Sequence, residues 1–252
     1  MSDAAGFSQS LAEQAPDGPL LLALSGGLDS SLLLHLLIEA GLGPRLSAVH
    51  IDHQLQADSQ GWARFCQALA DQQGIPLAIE KVAVDMGNGL EAGARDARYR
   101  VLLPLARAQG ATLVMAHHRN DQAETLLFRL LRGAGVQGLS AMRKYSEQQG
   151  VPLWRPLLGV GRQTLESWGA ALSLNWREDP SNQDQSLRRN YLRHTIFPAL
   201  RDRWPGADGT LARAADHMAE AGELLNEIAV QDADSLGVAG ASFPPVSYTH
   251  LT

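Results

Sequence analysis

Short continuous apolar runs alternate along the chain with longer stretches in which apolar residues recur three and four positions apart. Runs of the first kind, bounded by turn residues, predict buried strands at residues 20–24, 46–51, 76–84, 112–116, 153–157 and 174–177. The second pattern predicts helices at 30–40, 59–73, 91–109, 121–132, 162–172 and 187–200, with Pro104 kinking or interrupting one helix and Gly133 capping the end of another. Strand and helix in alternation, joined by short connections, predict an α/β Rossmann-like domain. It would have a parallel sheet covered by helices on both faces and ligands at the carboxyl ends of the strands. After Pro205-Gly206 the pattern becomes an alanine-rich helical stretch over 211–230. Two units are therefore expected: a domain over 1–205, then a helical linker or the start of a second domain over 206–252.

The first strand runs directly into Ser25-Gly26-Gly27-Leu28-Asp29-Ser30 and then into a helix. Two glycines let backbone N–H groups approach an anion closely, serine hydroxyls add donors, and the helix start contributes its positive dipole end. The lysine and spacing of a loop that delivers a γ-phosphoryl group are missing. The expected ligand is a pyrophosphate group, with Asp29 as a candidate for Mg²⁺.

Three further constellations fall at strand ends. His50-Ile51-Asp52-His53 leaves the second strand. In the next helix Glu91, Arg95 and Arg98 share one face. His117-His118-Arg119-Asn120-Asp121 then opens a helix with Asp121 and Glu124 three apart. Each has a plainer reading as well. Asp121 fits a helix N-cap or first-turn acid with Glu124 its capping-box partner, Arg95 and Glu91 fit a surface pair, and the histidines with Asp52 and Asp121 fit either a metal site or the polar wall of a cleft.

Composition narrows the setting. The 252 residues, 45% of them hydrophobic, suffice for one sizeable core, and the single cysteine, Cys66, cannot form an internal disulfide. No N-terminal signal pattern and no apolar stretch of bilayer length is visible, so a cytoplasmic protein without a membrane partner is expected. A net charge of −6 argues against broad nonspecific nucleic-acid binding. Local basic groups remain at Arg129, Arg132, Arg143 and Lys144, and at Arg188, Arg189, Arg193, Arg201 and Arg203. They read either as an RNA-facing surface or as solvated helix faces.

The loop resembles the SGGxDS pyrophosphate loop of enzymes that split ATP between its α and β phosphates. Together with residues 91–99 and 116–125, the string RLLRGAGVQGL at 129–139, Arg155-Pro156-Leu157-Leu158 and the segment 178–193, it resembles the tRNA(Ile)-lysidine synthetase family. The resemblance covers about residues 20–198 and departs at Asn120, where the family commonly has aspartate. It implies adenylylation of the C2 oxygen of the wobble cytidine of a tRNA(Ile) with a CAU anticodon, using ATP and Mg²⁺, followed by displacement of AMP by the ε-amine of free L-lysine. A homodimer is compatible with it. Carried over by motif, Ser25, Gly26, Gly27, Leu28, Asp29, Ser30 and Ile51 bind the nucleotide. Asp121, Glu124, Arg95, Arg98 and His117 form the catalytic set, and Arg129, Arg132, Arg188, Arg189 and Arg193 face the tRNA. Another adenylylating tRNA-modifying enzyme and an inactive RNA-binding module are the rival expectations.

Overall fold

The computed structural model describes residues 3–54, 58–84 and 90–235. Six strands form one sheet: β1 (Leu20–Ala23), β2 (Leu46–Asp52), β3 (Leu77–Lys81), β4 (Thr112–Val114), β5 (Tyr145–Gln148) and β6 (Val151–Trp154), in the order β3-β2-β1-β4-β6-β5. All neighbours run parallel except β5, which turns back antiparallel on β6 at the edge. The expected parallel α/β sheet is therefore present, with one added antiparallel strand. Tyr145–Gln148 reads YSEQ and is half-exposed, and a polar edge strand of this kind gives no apolar run to detect.

Alternation along β1 builds two cores. Leu20 and Leu22 face α2 (Leu28–Glu39) and α7 (Arg162–Ala171), whereas Leu21 faces Tyr99, Leu102 and Leu103 of α4 (Leu90–Ala108). Helix α2 is apolar nearly all round because it is covered all round: Leu32, Leu33, Leu34, Leu36 and Leu37 are each fully buried between the sheet, α7 and α1 (Ala4–Gln14). Each such leucine contributes about 2 kcal/mol by leaving water. Since α2 is clamped on every side, its N-terminus is a fixed point, and the loop Ser25–Gly27 enters from β1 onto that point.

The remaining helices are α3 (Ser59–Gln72), α5 (Arg119–Leu130), the short α6 (Val136–Leu139), α8 (Arg188–Tyr191), α9 (Phe197–Arg203) and α10 (Ala207–Ser235). Residues Leu192–Ile196 form a wider π-helical turn joining α8 to α9. Helix α10 packs on α5, α6 and α9, and its first-turn Asp208 accepts from Arg201 at 2.7 and 2.8 Å and from Asn120 at 2.8 Å. Among the described residues no helix is long and apolar enough to cross a membrane.

Four expectations are corrected. Residues 174–177 form no strand; Arg177 instead donates a single backbone hydrogen bond to Gly26 O. The last parallel strand begins at Val151 and ends at Trp154, ahead of the predicted 153–157. Pro104 does not interrupt α4, because its ring lies on the exposed face and the carbonyl it frees belongs to exposed Arg100. Gly133 lies beyond the cap of α5, which is Leu131, although its φ of +74° still makes the left-handed turn. Residues 242–252 lie outside the described residues.

Candidate active site

At the end of β1 the loop is shaped by its own hydroxyls. Ser30 Oγ accepts from Ser25 N at 3.1 Å and donates to Gly27 O at 3.2 Å, and Ser25 Oγ lies 3.0 Å from it. Ser30 is thus engaged within the turn, and buried Leu28 packs into the core, so these two shape the cradle while its donors come from the backbone. Gly27 is the N-cap of α2 and offers no side chain, which leaves the first-turn N–H groups of the helix uncapped. Gly26 adopts φ +80°, and a Cβ there would meet Cys66 Sγ and Trp62 Nε1 at 2.8 Å. Around Gly27 the nearest atoms to such a Cβ are Ser25 Oγ at 3.6 Å and Arg177 O at 3.9 Å. Gly26 is therefore required by packing, and Gly27 borders open space.

Asp29, in the first turn of α2, accepts from Arg162 Nη1 at 2.9 and 3.0 Å, and burial pushes its carboxyl up despite His118 and Arg162 nearby. One carboxylate beside a phosphate cradle suits Mg²⁺, which keeps most of its ligands as water and phosphate oxygens. Asp29 is the carboxylate there, with both oxygens accepting from Arg162. Among the described residues no three of His, Cys, Asp and Glu lie together as a metal cage.

From β4 the chain passes into α5 through a side-chain cap. His118 Nδ1 accepts from Asn120 N at 3.2 Å and Asp121 N at 3.4 Å, while Asp121 Oδ2 accepts from His118 N at 3.0 Å. With Nδ1 an acceptor, the ring carries its proton on Nε2, which lies 3.5 Å from Asp121 and 3.8 Å from Asp29. His118 thus bridges the loop carboxylate to the α5 carboxylate. Burial opposes ionisation of Asp121, but His118, His117, Arg193 and the His118 N–H outweigh it and hold the carboxyl below its ordinary range. The N-cap of α5 is therefore His118, with Asp121 as its capping-box partner in place of Glu124, and the Asp121 carboxyl is held toward its charged form.

Glu124, 1% exposed, is gripped by Arg193, with Nε at 2.7 Å and Nη2 at 2.8 Å, and the same Nη2 reaches Asp121 Oδ1 at 3.2 Å. Burial disfavours the charge on Arg193, yet Glu124 and Asp121 push its pKa well above the usual value. Arg189 Nε lies 3.6 Å from Glu124, its Nη2 donates to Thr125 Oγ1, and its backbone N donates to Glu91 Oε1 at 3.3 Å. The structure therefore places Arg189 and Arg193 beside the carboxylates of α5 as counter-ions, each side chain still about one-third exposed. No local pattern announces these pairs, because Glu124 and Asp121 lie 69 and 72 residues before Arg193.

Arg98 is partly buried, and burial with Arg95 and Arg189 beside it lowers its pKa. Arg95 lies over the Tyr99 ring at 5.1 Å. Burial, with Arg155, Arg189 and Arg98 adding to it against Asp121, pushes His117 down to about 3, and its buried Nδ1 has no partner. His53, likewise unpartnered at Nδ1, falls to about 4 through burial and Arg98. His50 Nδ1 contacts Leu24 O at 2.9 Å, and burial pushes the Cys66 thiol up to about 12, so Cys66 is an inert core residue. Ile51 packs its side chain with the Tyr99 core. Arg129 donates to Gly138 O at 2.8 Å and Ala141 O at 3.0 Å and is thereby a strut for α6, while Arg132 lies over Phe128 and Arg188 is exposed. Asn120, the departure from the family pattern, accepts from Arg162 N at 2.9 Å and ties α5 to α7 and α10.

The chain is 49% identical over 227 residues to the tRNA(Ile)-lysidine synthase of Pseudomonas aeruginosa, covering 89% of this chain and 51% of the relative. It is 47% identical over 214 residues to that of Haemophilus influenzae, covering 82% and 50%. The chain thus spans about half the length of the curated relatives it matches. Among solved structures it is similar in fold to the U34-tRNA thiolase NcsA from Methanococcus maripaludis with its [4Fe-4S] cluster, with a TM-score of 0.70, 16% identity, and coverage of 86% and 78%. It also resembles the NMN synthetase from Francisella tularensis, with a TM-score of 0.52, 12% identity, and coverage of 86% and 96%. Residues 3–200 match the model of the PP-loop domain, in agreement with the loop geometry at Ser25–Ser30, and the chain belongs to that family.

Proposed function

We propose that this chain joins lysine to the wobble cytidine of an isoleucine tRNA with a CAU anticodon, at C2, through an adenylylated intermediate, with MgATP as the activating substrate. The observation that carries this reading is the position of the His118 ring between Asp29 and Asp121, 3.8 and 3.5 Å from them: it sets the glycine loop and the α5 carboxylates side by side. Similarity of 45–49% to lysidine synthases over most of the chain supports the choice of substrates. In the first step the C2 oxygen of cytidine bonds to the α phosphorus and pyrophosphate leaves onto the loop. In the second, lysine Nζ bonds to C2, the C2–O bond breaks, AMP leaves and the amine loses a proton.

The residues divide this work. Gly26, Gly27 and the uncapped start of α2 receive the β and γ phosphates. Asp121, anionic and adjacent to Glu124, recognises the lysine ammonium, sharing its oxygens with Arg193. Arg95 and Arg98 supply positive charge for a phosphate or for the lysine carboxylate, and uncharged His117 offers a polar contact without competing as a cation. Exposed Arg132 and Arg188 remain the candidates for tRNA phosphates. The domain boundary near residue 205 and a cytoplasmic location belong to the same reading. A thiolase reading is not favoured, since the sequence holds one cysteine and it is buried. The test is transfer of labelled lysine to unmodified isoleucine tRNA: label should appear in the tRNA only with ATP present, and absence of transfer with ATP bound would refute the proposal.

A further inference from the structure

Outside the catalytic set, α3 and the segment after α7 converge on the back of the loop. Trp62 Nε1 donates to Ser25 O at 2.6 Å, and Arg177 N donates to Gly26 O at 2.9 Å. The Arg177 guanidinium lies over the Trp62 ring at 5.7 Å and the Phe65 ring at 5.9 Å and pairs with Asp58 at 2.7 Å. Two consecutive loop carbonyls are thereby held by one stacked clasp.

No peptide in the described chain is cis, and in a trans peptide the N–H points opposite to the C=O of the same plane. The plane that carries Ser25 O also carries Gly26 N, and the plane of Gly26 O carries Gly27 N. Pinning both carbonyls against the clasp turns both N–H groups away from it. Gly27 N meets only a long 3.4 Å contact to Ser25 Oγ. Gly26 could not carry a side chain here, because its Cβ would strike Trp62 Nε1, so the glycine and the indole are fitted to one another.

We infer that Trp62 is a positioning residue for the pyrophosphate cradle, orienting the Gly26 and Gly27 amides through its indole N–H, with Arg177 holding the indole in place. This rests on the reading above that the loop receives the β and γ phosphates. The Arg177 side chain acts on the ring and on Asp58, while its contact to the loop is made by its backbone.

The experiment measures MgATP, inorganic pyrophosphate and AMP affinities, with melting temperature, for the parent, Trp62→Phe, Trp62→His and Arg177→Ala. Trp62→Phe keeps an aromatic ring but loses the donor, and should weaken MgATP and pyrophosphate about tenfold while leaving AMP unchanged. A merely structural role would weaken all three together with the melting temperature. Trp62→His restores a ring N–H and should recover part of the loss, and Arg177→Ala keeps its backbone donor and should lose less than Trp62→Phe. MgATP and pyrophosphate affinities within twofold of the parent in Trp62→Phe, an equal loss for AMP, or a parent that binds none of the three would overturn the inference. A parent that binds MgATP and shows the Trp62 effect, yet transfers no lysine, would refute the proposed ligation alone.

Discussion

The loop at Ser25–Ser30 and the carboxylates of α5 lie at the ends of neighbouring strands but are prepared in opposite ways. In the loop, backbone donors are left open, with an uncapped helix behind them. In the α5 site each carboxylate already meets partners: Asp121 meets His118 and Arg193, and Glu124 meets Arg193 and Arg189. An anion can settle on the loop without displacing anything, whereas a cation arriving at Asp121 must share oxygens with an arginine. Ligand affinity should therefore dominate the effect of loop changes, and fold stability the effect of changes to the α5 counter-ions.

The largest expected effect follows from that contrast. Arg193→Ala would leave the buried Glu124 only its 3.6 Å contact with Arg189, costing about 3 kcal/mol, the lower end for a broken buried pair. A fall of roughly 10 °C in melting temperature is expected, with recovery when Glu124→Gln is added. If the double variant melts no higher than the single, uncompensated charge is not the cause.

Acid should reveal the same region. His117 titrates at about 3 and His53 at about 4 in the folded chain, against an ordinary value of 6.5. Between those values the unfolded state binds protons that the folded state refuses, so stability falls as pH drops below about 6.5. His117 contributes about 3 kcal/mol of that loss by pH 4. Asp29, held above its ordinary value, pulls in the other direction, and the shift at Asp121 acts only below its ordinary 3.8. Denaturant midpoints in His117→Gln should show a flatter pH dependence; an unchanged slope would mean the buried ring is not the source.

Within the loop the two glycines should separate. Gly26→Ala combines positive φ with a collision against Cys66 and Trp62 and should cost about 2 kcal/mol of stability. Gly27→Ala meets no close atom, so melting should hold while MgATP affinity falls about tenfold as the methyl enters the phosphate approach. Equal melting temperatures for the two variants would break the distinction.

The smallest effect belongs to the surface. Exposed Arg188 should tolerate glutamate within about 0.5 kcal/mol, while tRNA binding weakens and its salt slope drops by about 1. An unchanged titration at two salt concentrations would make Arg188 a solvated side chain and nothing more.

What could be read in the sequence divides along the same line. The loop, α2 and the central strands were visible because their signals are local: glycines at a strand end, a leucine-rich helix, continuous apolar runs. Helix α1 was missed because its pattern is short and alanine-rich, and β5 because an edge strand needs no buried face. Asp121 and Glu124 could be named from their spacing, but their partners could not, since Arg189 and Arg193 reach them only once α8 and the π turn fold back over α5. Residues 174–177 looked like a strand because Leu174 and Trp176 are apolar. They pack instead on the α2 side of the core and leave one backbone N–H for the loop.

The most direct test of the division between the two sites is pyrophosphate release from ATP and unmodified isoleucine tRNA, with and without lysine, in the parent, Gly27→Ala and Asp121→Asn. With tRNA in excess and no lysine, the parent and Asp121→Asn should both release pyrophosphate in a burst bounded by the amount of protein, and Gly27→Ala should be slow. With lysine, the parent should continue to turn over while Asp121→Asn stops after the burst. A burst lost in Asp121→Asn, or release at the parent rate in Gly27→Ala, would contradict the assignment of activation to the loop and of lysine to the α5 carboxylates.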